Sequence, residues 1–80
     1  METKLKVKLN NYNNAKKFNE LTNTFVSDID VMKGRYIIDA KSLMGLFTLD
    51  LSSPIMVELH SEDTEEIERF AEVMKEFVED

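Results

Sequence analysis

Lys4-Leu5-Lys6-Val7-Lys8-Leu9 alternates a charged with an apolar side chain at every step. A period of two is the mark of a β-strand with one wet face and one core face, so the lysines point one way and Leu5, Val7 and Leu9 the other. Asn10-Asn11-Tyr12-Asn13-Asn14 follows and reads as a turn, because asparagine bonds to nearby backbone and tolerates left-handed conformation. Beyond it Ala15, Phe18, Leu21, Thr22, Phe25 and Val26 recur at spacings of three and four. That is one stripe of an amphipathic helix, with Asn13 or Asn14 as its cap.

Further on, Ile29 to Met32 and Tyr36 to Ile38 are rich in β-branched and aromatic residues and flank Lys33-Gly34-Arg35. They predict an antiparallel hairpin in which Gly34 supplies a positive φ. Ser42 then introduces Leu43, Met44, Leu46, Phe47 and Leu49, a short apolar helix of about two turns interrupted by Gly45. After Ser52-Ser53-Pro54, Ile55 to Leu59 predicts a strand whose alternation Glu58 breaks. Ser61 is the expected cap of a long helix carrying Ile67, Phe70, Ala71, Met74, Phe77 and Val78 on one stripe. The order strand, helix, strand, strand, helix, strand, helix predicts an α+β open-faced sandwich, a four-stranded antiparallel sheet with three helices on one face.

Residues 1–80 suffice for a single domain, and without cysteine its stability must come from packing of the 42% of residues that are apolar. No apolar run approaches the roughly 20 residues that span a bilayer, and the signal-peptide pattern is absent from Met1 onward. The expectation is a cytoplasmic protein with no membrane role. A net charge of −6 argues against nucleic-acid binding, which needs clustered cations against phosphate. Lys4, Lys6, Lys8, Lys16 and Lys17 crowd the first quarter. Glu62, Asp63, Glu65, Glu66, Glu68, Glu72, Glu76, Glu79 and Asp80 crowd the last, where the early acids suit the positive end of a helix.

Catalytic chemistry finds little support. One histidine and no cysteine leave no imidazole or thiolate metal site, and Asp28 and Asp30 lack the loop of a calcium site. His60, flanked by Glu58 and Glu62 as possible orienting acids, reads as a solvent-facing residue between two elements rather than a general base. Neither glycine lies in a phosphate-cradling loop, so no cofactor is expected and the chain is not read as an enzyme. Ser42 is the one residue with a specific chemical promise. A phosphate there adds about −1.5 to −2 charges beside Leu43, Met44 and Phe47, a combined anionic and apolar epitope. Alternatively, Ser42 is a plain helix cap and the three apolar residues are core.

Lys41-Ser42-Leu43-Met44-Gly45 resembles the Lys-Ser-(Ile or Leu)-Met-Gly segment of the HPr phosphocarrier family of the sugar phosphotransferase system, and the order of elements is similar over nearly the whole chain. The resemblance implies the HPr-like sandwich, with Ser42 matching the serine that an ATP-dependent regulatory kinase phosphorylates. It implies that Leu43, Met44 and Phe47 match the apolar patch that docks on transport-system enzymes and on a transcriptional regulator. The carrier histidine of the family lies in a Gly-apolar-His-(Ala or Thr)-Arg-Pro motif before the first helix. Here Asn10 or Asn11 takes its place, no histidine precedes His60, and no arginine precedes Arg35. An amide nitrogen whose lone pair is delocalised is a poor nucleophile, so the expectation is a partner-binding protein that does not relay phosphoryl groups. The alternative is a small structural or interaction domain outside that system. Its oligomeric state is left open by the sequence.

Overall fold

The computed structural model describes residues 3–78; Glu79 and Asp80, counted above among the late acids, and Met1 lie outside the described residues. The elements are β1 (Lys4–Val7), α1 (Tyr12–Thr22), β2 (Ile29–Lys33), β3 (Tyr36–Asp39), α2 (Leu43–Leu46), β4 (Ile55–Leu59) and α3 (Thr64–Met74), the last running into a 3-10 turn, Lys75–Phe77. All strand pairs are antiparallel and the sheet order is β1-β4-β2-β3. Thus β1 and β2 are parallel with β4 between them, and β3 and β4 are parallel with β2 between them. The chain forms two interleaved β-α-β units, each spanned by a helix.

Alternation sets the two faces. Val7, Ile29, Val31, Ile55, Val57 and Leu59 are buried together with Ala15 and Phe18 of α1, Leu46 of α2, and Phe70 and Met74 of α3, so one face carries the core. Phe18 meets Phe77 edge-on, and Phe25 meets Phe70 likewise, with ring centroids 5.7 and 6.1 Å apart. The register places Lys4, Glu58, Asp30 and Asp39 in one row across the outer face and Lys6, Met56, Met32 and Ile37 in the next. Glu58 therefore completes the alternation of β4 rather than breaking it, because Met56 is the apolar residue that faces outward. Gly34 takes the expected positive φ, 59°.

Several boundaries differ from the sequence reading. Asn11, not Asn13 or Asn14, caps α1: its Oδ1 accepts from the Asn14 N–H at 2.9 Å, and Tyr12 to Asn14 are already helical. The helix ends at Thr22, so Phe25 reaches the core from a loop and Val26, 94% exposed, leaves it. Thr24 N–H and Phe25 N–H close tight turns onto Leu21 and Thr22 carbonyls, which outcompete another helical turn. Asp63 caps α3 by accepting from the Glu65 N–H at 3.0 Å, while Ser61 Oγ accepts from the Asp63 N–H one step earlier. Ala71 faces solvent. Val78 ends the stripe by bridging to Val7 on the outer side of β1.

The loop that leaves α1 is fastened to α3. Glu66 accepts from the Val26 and Ser27 N–H groups at 3.1 and 3.3 Å and from the Ser27 hydroxyl. Those bonds, the Ser27 hydroxyl foremost and Ser61 next, pull the Glu66 carboxyl from its ordinary 4.5 down to about 2. Arg69 donates to the Thr24 hydroxyl and carbonyl, both at 2.9 Å, and lies 3.7 Å over the Phe25 ring. Among the described residues, no helix is long and apolar enough to cross a membrane.

Candidate functional site: the serine cap and its apolar surround

The segment before α2 is held from below. The carbonyl of buried Ala40 accepts from Thr22 Oγ1 at 3.1 Å and from Asn19 Nδ2 at 3.2 Å, and Lys41 Nζ donates to the Phe25 carbonyl at 2.8 Å. Asp39 shapes the turn, its Oδ1 accepting from the Lys41 N–H and its carbonyl from the Ser42 N–H. Ser42 is exposed, with extended backbone (φ −98°, ψ 104°), and its Oγ accepts from the Gly45 N–H at 3.2 Å. It is an N-cap, as the sequence predicted.

The helix it caps is a single turn. Phe47 N–H still bonds to the Leu43 carbonyl, but Thr48 and Leu49 N–H groups bond three residues back, so the chain tightens and turns away short of the expected second turn. Gly45 is required by space: a Cβ there would lie 2.7 Å from Ile38 Cγ2. The glycine lets α2 press against β3 and thereby turns its other side outward. Met44 is 78% exposed and Phe47 37%, whereas Leu43 is half-buried and Leu46 belongs to the core. Met44 and Phe47 are therefore not core.

The asparagine loop sits beside this turn. Tyr12, 65% exposed, meets the Phe47 ring edge-on at 5.1 Å and 82°. The sequence reading places Tyr12 only in a turn; a lone aromatic among four asparagines is the signal that marks it. Asn10 adopts φ 75° and donates its N–H to the Leu51 carbonyl at 2.7 Å. Leu51 is presented by the Asp50–Ser53 turn, in which the Ser52 hydroxyl, then the Ser52 N–H and the Ser53 hydroxyl, hold the Asp50 carboxyl below its usual range. Asn11 Oδ1 is taken up by its cap, and Asn14 Nδ2 donates to the Leu9 carbonyl at 2.8 Å. The amides of Asn11 and Asn14 thus hold the loop. Imidazole and guanidinium, the groups that accept and balance a phosphoryl group, are both missing from Asn10 to Asn14.

A family model described as the PTS HPr component phosphorylation site matches residues 10–80. The chain belongs to the HPr family. Among solved structures, HPr-C-His from Thermoanaerobacter tengcongensis is similar at 24% identity, covering 95% of this chain and 92% of that one, with a TM-score of 0.72. Crh, the catabolite repression protein of Bacillus subtilis, described as an intertwined, domain-swapped dimer, is similar at 30% identity, covering 100% and 94%, with a TM-score of 0.63. Among curated protein sequences none matches. The HPr-like α+β sandwich expected from the sequence is thereby shown, as is the link to the sugar phosphotransferase system.

His60, the one imidazole in this HPr-family chain, lies elsewhere, between β4 and α3. Its Nε2 is 2.8 Å from Asp30 Oδ2, and the backbone N–H of His60 donates to the Asp28 carbonyl at 2.9 Å. The partner is Asp30, not Glu58 or Glu62, because the β2–β4 register brings the strand-entry acid alongside the end of β4.

Proposed function

We propose that this HPr-family protein is a non-catalytic, cytoplasmic binding partner of sugar-transport or carbon-regulation proteins, controlled at Ser42. It does not carry phosphoryl groups through the loop before α1. The observation that carries the reading is one juxtaposition: an exposed serine beside exposed Met44 and Phe47, next to a loop with asparagine at Asn10 and Asn11 in place of an imidazole. Phosphorylation of Ser42 would replace one cap acceptor with a dianion beside that apolar surface. An arginine-bearing face with a hydrophobic pocket, on a transport-system enzyme or a transcriptional regulator, reads both features at once.

The test has two reactions. Protein incubated with phosphoenolpyruvate and the first enzyme of the system is expected to remain unlabelled, and phosphohistidine there would overturn the lost carrier role. Incubation with the regulatory serine kinase and ATP is expected to label Ser42 alone; absence of label removes the switch.

The Ser42 to Gly45 cap bond favours a second reading, an interaction domain in which Ser42 only starts α2. In that case Ser42→Ala loses about 0.5–2 kcal/mol of stability and Ser42→Asp captures the same partners as wild type. A changed set of captured proteins decides for the first reading.

A further inference from the structure

The two edges of the sheet are treated differently. On β1, Lys4 and Lys6 stand exposed, Lys8 N–H donates to the Phe77 carbonyl at 2.9 Å, and Val7 bridges to Val78, so that edge is charged and partly covered. The opposite edge, β3, is Tyr36-Ile37-Ile38-Asp39, with neither lysine nor proline, and Tyr36 and Ile37 are 71% and 70% exposed. The Ala40 N–H donates to the Ile29 carbonyl, which fixes the parity of the strand. Even-numbered residues turn their backbone groups to β2, while the Ile37 N–H and C=O and the Asp39 N–H turn to the open side; the Asp39 C=O accepts from the Ser42 N–H.

We infer that β3 is a self-pairing edge: two copies of this chain join antiparallel through Ile37 about a two-fold axis, making one continuous eight-stranded sheet. Three features converge on that register. Residues opposite each other must share a face, so Ile37, on the outer face, can lie opposite its own copy but not opposite Ile38. With Ile37 against Ile37, the outward N–H and C=O groups of both copies meet as a hydrogen-bonded pair. Arg35 then lies opposite Asp39 of the second copy at each end, and Tyr36 opposite Ile38, an aromatic against a β-branched side chain. The interface is isologous, so the Arg35–Asp39 and Tyr36–Ile38 pairs each occur twice, while Ile37 meets its own copy once on the axis.

Neighbouring registers are worse. A two-residue shift one way sets Ile37 against Asp39 and Arg35 against Lys41, apolar against charge and like against like. The opposite shift runs past the Gly34-Arg35 turn into chain already folded back as β2. The rim ion pairs are exposed and so select register more than they add affinity. With strands of only four residues, the dimer forms and dissociates with concentration.

Sedimentation velocity over a concentration series is the test. Wild type is expected to pass reversibly from monomer to dimer, with the Ile37 and Asp39 amides gaining exchange protection as dimer forms. Ile37→Lys should stay monomeric while keeping the wild-type circular dichroism and melting temperature. Arg35→Asp and Asp39→Arg should each be monomeric alone and form a heterodimer when mixed, since the mixture restores both charge pairs. Wild type monomeric throughout, a dimer that survives Ile37→Lys, or a dimer without protection at Ile37 overturns the inference; the last two place the contact elsewhere, as strand exchange through β1 would. Because Asp39 also accepts from the Lys41 N–H, the charge test is repeated with Asp39 intact should Asp39→Arg prove unfolded: Arg35→Asp alone is then expected to be monomeric and Arg35→Lys to keep the dimer, and a dimer of unchanged affinity in Arg35→Asp overturns the register.

Discussion

Tyr12 and Phe47 meet edge-on at 5.1 Å, which joins the first residue of α1 to the end of α2 and makes one exposed surface of the asparagine loop and the serine segment. Aromatic pairs contribute about 0.5–1.5 kcal/mol beyond area burial, and exposure puts this one at the lower end. A double-mutant cycle with Tyr12→Leu and Phe47→Leu, followed by urea unfolding, should give a coupling of about 0.5 kcal/mol. Strict additivity would show that the rings are neighbours without energetic consequence.

Gly45→Ala sets two effects against each other. Alanine is the better helix former by about 1 kcal/mol, yet its Cβ would stand 2.7 Å from Ile38 Cγ2, and overpacking costs typically about 1–3 kcal/mol. The clash should win and the melting temperature fall. Combining it with Ile38→Ala, which removes the opposing methyl, should cost less than the sum of the two changes. A rise in melting temperature for Gly45→Ala alone would contradict the packing described between α2 and β3.

Asn10 holds φ 75° while its N–H bonds to Leu51. Glycine takes that conformation without steric cost, whereas an alanine there is strained by about 1–2 kcal/mol. Asn10→Gly should leave stability near wild type and Asn10→Ala lower it by about 1 kcal/mol. Equal effects of the two in chemical denaturation would mean that the left-handed turn is not retained in solution.

Glu66 makes stability depend on acid. Its carboxyl titrates near 2 when folded and at its ordinary 4.5 when unfolded, so the unfolded chain binds the proton first as pH falls. The stabilisation from the clamp on Val26 and Ser27 is complete above 4.5 and is lost progressively down to about 2. The stability difference between wild type and Glu66→Gln should therefore be constant near neutrality and shrink through that window. A difference independent of pH would show that the carboxylate charge plays no part in holding the loop.

Much of the fold was legible because period carries it. Lys4 to Leu9, Ile55 to Leu59 and the stripes of α1 and α3 each disclose which side chains need cover, and Gly34 discloses the hairpin. Helix ends were less legible. The sequence offers Asn13 or Asn14 as the cap, whereas Asn11 takes that place, because the Asn14 side chain is drawn to the Leu9 carbonyl and the Asn10 N–H to the Leu51 carbonyl. At the candidate site the motif singles out Ser42, Leu43, Met44 and Phe47, but it does not single out Tyr12, since its contact with Phe47 spans 35 residues.

By itself the sequence determined the sheet's two faces, the antiparallel α+β architecture, and the lack of an imidazole or guanidinium ahead of α1. Those follow from side-chain chemistry and nearest-neighbour periodicity, which act locally along the chain. The tertiary structure alone decided that the serine cap, Met44, Phe47 and Tyr12 share one surface, that His60 takes Asp30 as its partner, and that β3 is the bare edge. Each depends on strand order and on the approach of α2 to Ile38, and those distances are set only when remote segments compete to bury the same apolar area.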